Sequence, residues 1–132
     1  MNNQKLVIFD LDDTLYVEPD RLGDDVLWCL DYLKGKGHLL AIASHNLEGK
    51  LLLRRFSILD YFDAVECFIP TSKTKMPLIN KILESTEMNL KDVIFFDDLP
   101  VNVSEVSAAG IHSVKVNCNT GVTWLDLHES GL

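Results

Sequence analysis

Asp10, Asp12, Ser44, a lysine at position 73 or 75, and Asp97 with Asp98 are the residues of this sequence whose types and spacing are suited to chemistry. Brought to one place, the four aspartates would repel one another, each like-charge contact raising a pKa or destabilising the fold. A hard divalent cation with oxygen ligands offsets that cost, and Mg²⁺ typically takes one or two carboxylates together with waters and a substrate phosphate. A lysine adds a second positive charge. With a phosphate in place, cation and lysine would neutralise its equatorial oxygens while an aspartate attacks phosphorus in line. Asp10 and Asp12 are two residues apart, so a roughly extended chain puts both on one face, toward one ligand. One can then attack while the other handles a proton, which requires environments that push their pKa values apart. Asp13 faces the other way and reads as a turn residue.

The elements that must position these groups are legible from periodicity. Residues 5–10 form a short, continuous apolar run rich in branched side chains, the pattern of a strand buried on both faces. Residues 39–43, 65–69, 93–96 and 113–116 read the same way. Between them, Val26, Leu27, Leu30 and Leu33, then Leu51, Leu52, Arg55 and Phe56, then Leu78, Ile79, Ile82 and Leu83 fall at helical spacing. Asp24 or Asp25 is the expected N-terminal cap of the first helix, Gly35 and Gly37 its stop, Pro100 the start of a fourth helix and Gly110 its end. A last short helix is expected around Trp124 and Leu127. Strands alternating with helices predict an α/β fold: one three-layer, doubly wound domain over residues 1–132, with a mostly parallel five-stranded sheet. In such sheets ligands bind outside the carboxyl ends of the strands, and the chemically suited residues fall at those ends.

Length and composition narrow the partners. The chain has 132 residues, a hydrophobic fraction of 47% and a net charge of −8, enough for one core and unfavourable for nucleic acid. Lys34 with Lys36, and Lys50 with Arg54 and Arg55, are too small to act as basic patches and read as solvated helix faces. No apolar stretch approaches the roughly 18 residues of a membrane span, and Met1 to Lys5 lacks the pattern of a signal peptide, so no membrane and a cytoplasmic location are expected. Cys29, Cys67 and Cys118 form no CxxC pair and read as reduced core thiols. His38, His112 and His128 have no ligand-like spacing and are expected at the surface, and Trp28 and Trp124 are expected to pack.

Phe9-Asp-Leu-Asp-Asp-Thr-Leu15 resembles the first motif of the haloacid dehalogenase superfamily, DxDxT after an apolar strand. Ser44 resembles the second motif, a lysine near position 75 the third, and Asp97-Asp98 the fourth. The stretch from Ile94 through Asn102-Val103 to Gly110 looks most like the magnesium-dependent phosphatase subgroup. The resemblance implies a phosphatase with Mg²⁺ as cofactor and a phosphorylated protein or small molecule as substrate. It implies that Asp10 is the nucleophile that becomes an aspartyl-phosphate and Asp12 the general acid and base. Ser44 would bind phosphate, the lysine would neutralise its charge, and Thr14 would brace the loop at the phosphate site. Mg²⁺ would be held by the Asp10 carboxylate, the Asp12 carbonyl and Asp97, with Asp98 a further or alternative ligand. Lys75 matches the family spacing before Asp97 better than Lys73.

His45 stands where the family often has arginine, and is either a substrate contact or an exposed loop residue. Asp98 is alternatively a cap for the helix beginning at Pro100. Thirty-four residues separate Asp10 from Ser44 and thirty-one separate Ser44 from Lys75, room for a crossover but not for an inserted cap domain, so the site is expected to be open. In the family an absent cap goes with large substrates such as phosphoproteins, or with small ones enclosed by an oligomer partner. A second reading of the same residues is a non-catalytic phospho-acceptor or phosphate-binding module. Signalling receiver domains carry such groups in a different chain order.

Overall fold

A computed structural model describes residues 3–132. Met1 and Asn2, which belong to the segment expected to lack a signal pattern, lie outside the described residues. The chain runs β1 (Leu6–Phe9), β2 (Tyr16–Val17), β3 (Arg21–Leu22), α1 (Val26–Gly35), β4 (Leu39–Ser44), α2 (Gly49–Arg55), β5 (Ala64–Cys67), α3 (Met76–Thr86), β6 (Val93–Asp97), α4 (Pro100–Ala108), β7 (His112–Lys115) and α5 (Trp124–Glu129), with short 3₁₀ turns before β5 and β6. Five strands pair in parallel in the order β5-β4-β1-β6-β7, so the expected α/β sheet is found. β1 lies in the middle because its four residues are fully buried. β5 and β7, at the edges, are only partly buried.

Alternation along β1 divides the core. Val7 and Phe9 face α1, α2 and α5 through Leu30, Leu33, Leu53 and Leu127. Leu6 and Ile8 face α3 and α4 through Leu78, Ile79, Ile82 and Val106. Successive strand residues point to opposite faces, so both faces of the sheet are covered by helices. Phe9 pairs in register with Ile42 on one side and Phe96 on the other, and its ring stacks on Phe96 with centroids 5.5 Å apart. The next residues, Asp10, Ala43 and Asp97, therefore emerge side by side at one edge.

Several expectations need correction. His38 is buried, because the backbone N–H of Lys5 just before β1 needs an acceptor and finds His38 Nδ1 at 2.9 Å. Trp28 and Trp124 pack as expected, but at the surface: each is about half exposed, Trp28 stacked on Tyr32 and Trp124 tilted against His128. Cys29 is buried, Cys67 half-buried and Cys118 exposed, so the core reading holds fully only for Cys29. Asp25 occupies the cap position of α1 without a side-chain capping bond, its Oδ2 accepting instead from the backbone N–H of Trp124. The segment after Thr14 forms the short β2–β3 hairpin. Helix α5 is present and opens with a capping box between Thr123 and Asp126. Among the described residues no helix is long and apolar enough to cross a membrane.

Candidate active site

The carboxyl edge of β4, β1 and β6 opens into a cleft of about 190 Å³ lined by Asp10, Asp12, Asp13, Ser44, His45, Asn46, Lys75, Asp98, Leu99 and Asn102. A larger hollow of about 600 Å³ lies at the opposite end of the sheet, around Lys5, Lys36 and His38, but it holds none of these carboxylates.

Lys75 is the hub. It stands at the N-terminal cap position of α3, almost wholly buried, and its ammonium donates to Asp10 Oδ1 at 2.6 Å and to the Ala43 carbonyl at 2.6 Å. Asp97 Oδ2 lies 3.7 Å from the same nitrogen. Glu105, on α4, accepts from the backbone N–H groups of Lys75 and Met76 at 3.0 and 3.1 Å. A carboxylate there satisfies donors the first helical turn leaves unpaired and suits the positive end of the helix dipole. Lys73, by contrast, is an exposed turn residue at positive φ, so the choice between the two lysines falls on Lys75.

The loop after β4 is built from side chain to backbone bonds. Ser44 Oγ accepts from the Asn46 N–H at 3.0 Å, and Asn46 Oδ1 accepts from the Glu48 N–H at 2.9 Å. Such turns fix the amide's orientation. Its Nδ2 therefore faces the Asp12 carboxylate, at 3.2 and 3.4 Å from the two oxygens. His45 lines the cleft, but its Nε2 bonds the Thr74 carbonyl at 2.9 Å and ties this loop to the lysine segment. Asp97 caps the turn into α4: Oδ1 accepts from the Leu99 N–H at 2.9 Å and Oδ2 from Asn102 Nδ2 at 3.0 Å. The capping alternative considered for Asp98 thus belongs to Asp97.

Asp10, Asp97 and Asp98 each offer a carboxylate oxygen within 4.8 Å of the others. Burial pushes the Asp10 carboxyl up to about 7, Lys75 opposing the rise and Asp97 adding to it. Asp98 is raised by burial and then by the charge of Asp97. A cluster of hard oxygen donors whose protonation is favoured by mutual repulsion fits a divalent cation of the Mg²⁺ type. The Asp12 carboxylate lies outside this cluster, so among the expected ligands Asp12 is left with its backbone carbonyl. Thr14 stands behind the cleft rather than in it. It is fully buried; its N–H donates to the Leu11 carbonyl at 3.2 Å and its carbonyl accepts from the Val122 N–H at 2.7 Å, so it braces the loop after β1 from the core side.

Asn46 and Glu105 were not assigned roles from sequence. Their partners lie about thirty positions away, and nothing in local periodicity marks such pairs. The signal available for Asn46 was its place two residues beyond Ser44 at a strand end.

Fold and edge together define a doubly wound α/β protein with an acidic cleft at the topological switch beside β1. The haloacid dehalogenase-like hydrolase family matches residues 21–116, and the chain belongs to it. No curated protein sequence matches. Among solved structures, a haloacid dehalogenase-like hydrolase family protein from Streptococcus pneumoniae is similar over 98% of this chain and 92% of its own, with 15% identity and a TM-score of 0.76. A phosphatase-domain fragment of a Bacteroides fragilis protein, complexed with Mg, is similar at 21% identity and a TM-score of 0.78 over 98% of this chain and 40% of that one. Another hydrolase from Streptococcus pneumoniae reaches 0.75 at 14% identity, covering 97% and 98%. At these identities the likeness is one of fold.

Proposed function

We propose that the chain is a Mg²⁺-dependent phosphomonoester hydrolase working from one open domain without a cap. The observation that carries this reading is the buried Lys75 ammonium, which sits on Asp10 and beside Asp97 at the point where three strand ends meet. The phosphatase name of a structural neighbour supports it. Between β1 and β4 the chain spends its length on the β2–β3 hairpin and α1, and between β4 and β6 on α2, β5 and α3, which leaves the cleft uncovered.

Asp10, Asp97 and Asp98 would hold the cation, with the Asp12 carbonyl as a further donor. When bound, Mg²⁺ supplies positive charge that keeps Asp10 ionised and neutralises phosphate oxygens. Lys75 supplies the second charge from the other side, fixed in place by Ala43 and by Glu105 behind its backbone. Ser44, whose Oγ has its accepting role filled by Asn46, keeps its hydroxyl proton for a phosphate oxygen. Asp10 attacks phosphorus, and Asp12, held by Asn46, passes a proton to the leaving oxygen. The aspartyl-phosphate on Asp10 is then hydrolysed by water that gives its proton to Asp12. Asp12 distinguishes this reading from a phospho-acceptor module, which has no use for an acid and base beside the acceptor.

The test is hydrolysis of para-nitrophenyl phosphate by the wild type and Asp10→Asn, with Mg²⁺ and with EDTA. Metal-dependent turnover that disappears in the folded variant is expected. Turnover by Asp10→Asn at the wild-type rate would contradict the assignment.

A further inference from the structure

The seam between α1 and α5 brings together a second set of groups, none of which lines the cleft. Asp25, at the cap position of α1, Trp28 and Tyr32 are spaced by three and four residues and so lie along one side of that helix. Trp124, the first residue of α5, joins them there, its backbone N–H donating to Asp25 Oδ2 at 3.0 Å. Asp25, Trp28 and Trp124 together line an open hollow of about 550 Å³. The same two indoles border a second hollow, of about 180 Å³, which is otherwise lined by Tyr32, Leu127, His128 and Leu132. Trp28 is stacked on Tyr32 with ring centroids 5.1 Å apart, and Trp124 is tilted against His128 at 5.6 Å. Each ring is thus held by a neighbour while about half of its residue stays in solvent.

Indole faces carry negative charge density, and a carboxylate beside two of them makes a setting for a cation. Tyr32 already has one: the Lys36 ammonium lies over its ring, 5.4 Å from the centroid. Among the described residues no cation of the chain lies over Trp28 or Trp124, and Asp25 has no ion pair. Arg21, four residues before Asp25, has its charge matched by Asp24 at 3.2 Å. The chain's net charge of −8 adds a general attraction for a positive partner.

We propose that this seam docks a partner protein, recognising an arginine side chain in the hollow of Asp25, Trp28 and Trp124 and an apolar side chain of the same segment in the adjoining hollow. Arginine suits the first hollow better than lysine, because a planar, weakly hydrated guanidinium stacks on an indole and still donates to the Asp25 carboxylate. A free small cation would touch three side chains only, whereas an extended segment fills both hollows for one association cost. The seam uses no residue of the cleft, so the inference goes beyond the phosphatase reading and does not depend on it.

Trp28 and Trp124 are the two tryptophans of the sequence, so tryptophan emission reads this seam. The test titrates the full chain, wild type and Asp25→Asn, with the end-capped peptide Gly-Arg-Leu-Gly and with versions carrying citrulline for arginine or serine for leucine. The arginine peptide should change the emission of the wild type saturably. Citrulline keeps the shape of arginine without its charge and should bind about fivefold to thirtyfold more weakly. Serine for leucine should weaken binding about threefold to tenfold. Asp25→Asn keeps a side-chain oxygen for the Trp124 N–H, and should weaken the arginine peptide about twofold to fivefold while leaving the citrulline peptide unchanged. No saturable change, equal affinity for arginine and citrulline, or an equal loss of both peptides in Asp25→Asn would overturn the inference. So would tetramethylammonium bound as tightly as the peptide, which would make the seam a small-cation site, or emission that shifts on diluting the free chain, which would assign it to a second copy.

Discussion

Asp10 is paired with a buried ammonium and Asp12 with a neutral amide, and the two partners suit the two roles. The Lys75 ammonium opposes the rise that burial imposes on the Asp10 carboxyl, while the Asn46 amide fixes the direction of Asp12 without adding a charge. Asn46→Ala leaves Asp12 free to rotate. Turnover of alkyl phosphates, whose leaving oxygen needs a proton, should fall on the order of tenfold to a hundredfold, and turnover of para-nitrophenyl phosphate much less. Equal losses on both ester types would show that Asn46 does not act through Asp12. The burial of Asp10 carries a second prediction. Its carboxyl is raised from 3.8 to about 7, chiefly by desolvation, so between those values the metal-free folded protein holds a proton that the unfolded chain has released. The stability this group contributes is full below 3.8 and is lost as pH rises through about 7. Urea denaturation of the metal-free protein across that window should show falling stability, the fall reduced in Asp10→Asn and by added Mg²⁺. A decline of the same steepness in all three would place its source elsewhere.

At the scale of elements, helix α2 seats the asparagine loop, and its approach to β5 depends on Gly49. A Cβ built there would overlap Cys67 Sγ, so the helix begins where a side chain has no room. Gly49→Ala should destabilise by about 1–3 kcal/mol, read from thermal or urea unfolding, and Cys67→Ala in the same chain should restore part of it. No recovery would mean that the clash is not the cause. The β2–β3 hairpin is joined to α2 by the Arg55–Asp20 ion pair and by Tyr16 against Phe56, ring centroids 5.5 Å apart. The sheet was legible because its inner strands β1, β4 and β6 are largely apolar runs, and helices α1 and α3 carry apolar stripes; edge strands β5 and β7, with Glu66 and Lys115, gave a weaker signal, and α4 was marked by Pro100 and Gly110 instead. The hairpin was not, since strands of two residues are too short to show alternation. His38 was misplaced for a related reason. Burial of a single polar or aromatic residue depends on which face it lands on and on an acceptor needed elsewhere in the fold, and neither is local.

For the molecule as a whole, the order β5-β4-β1-β6-β7 turns four separated sequence segments into one cleft. Asp10, Ser44, Lys75, Asp97 and Asp98 were legible as a group because strand ends on one sheet edge must converge. Thr14 lies in the core behind the aspartates, where it supports the loop through Val122, a partner more than a hundred positions away that no local pattern marks. The acidic charge of −8 disfavours a phosphate anion at long range, so on the proposed function its attraction would depend on Lys75 and a bound cation. On the proposed mechanism the phosphoryl group passes through Asp10. This step is tested most directly in Asp12→Asn, which should form the covalent intermediate from dinitrophenyl phosphate, a leaving group that needs no proton, and then hydrolyse it slowly. Quenching, borohydride reduction and peptide mapping locate the acyl-phosphate. Reduction at Asp10, dependent on Mg²⁺ and absent when Asp10 is also replaced by Asn, is the predicted result; a phosphoryl group mapped to any other residue, or turnover with no covalent intermediate, would contradict the account.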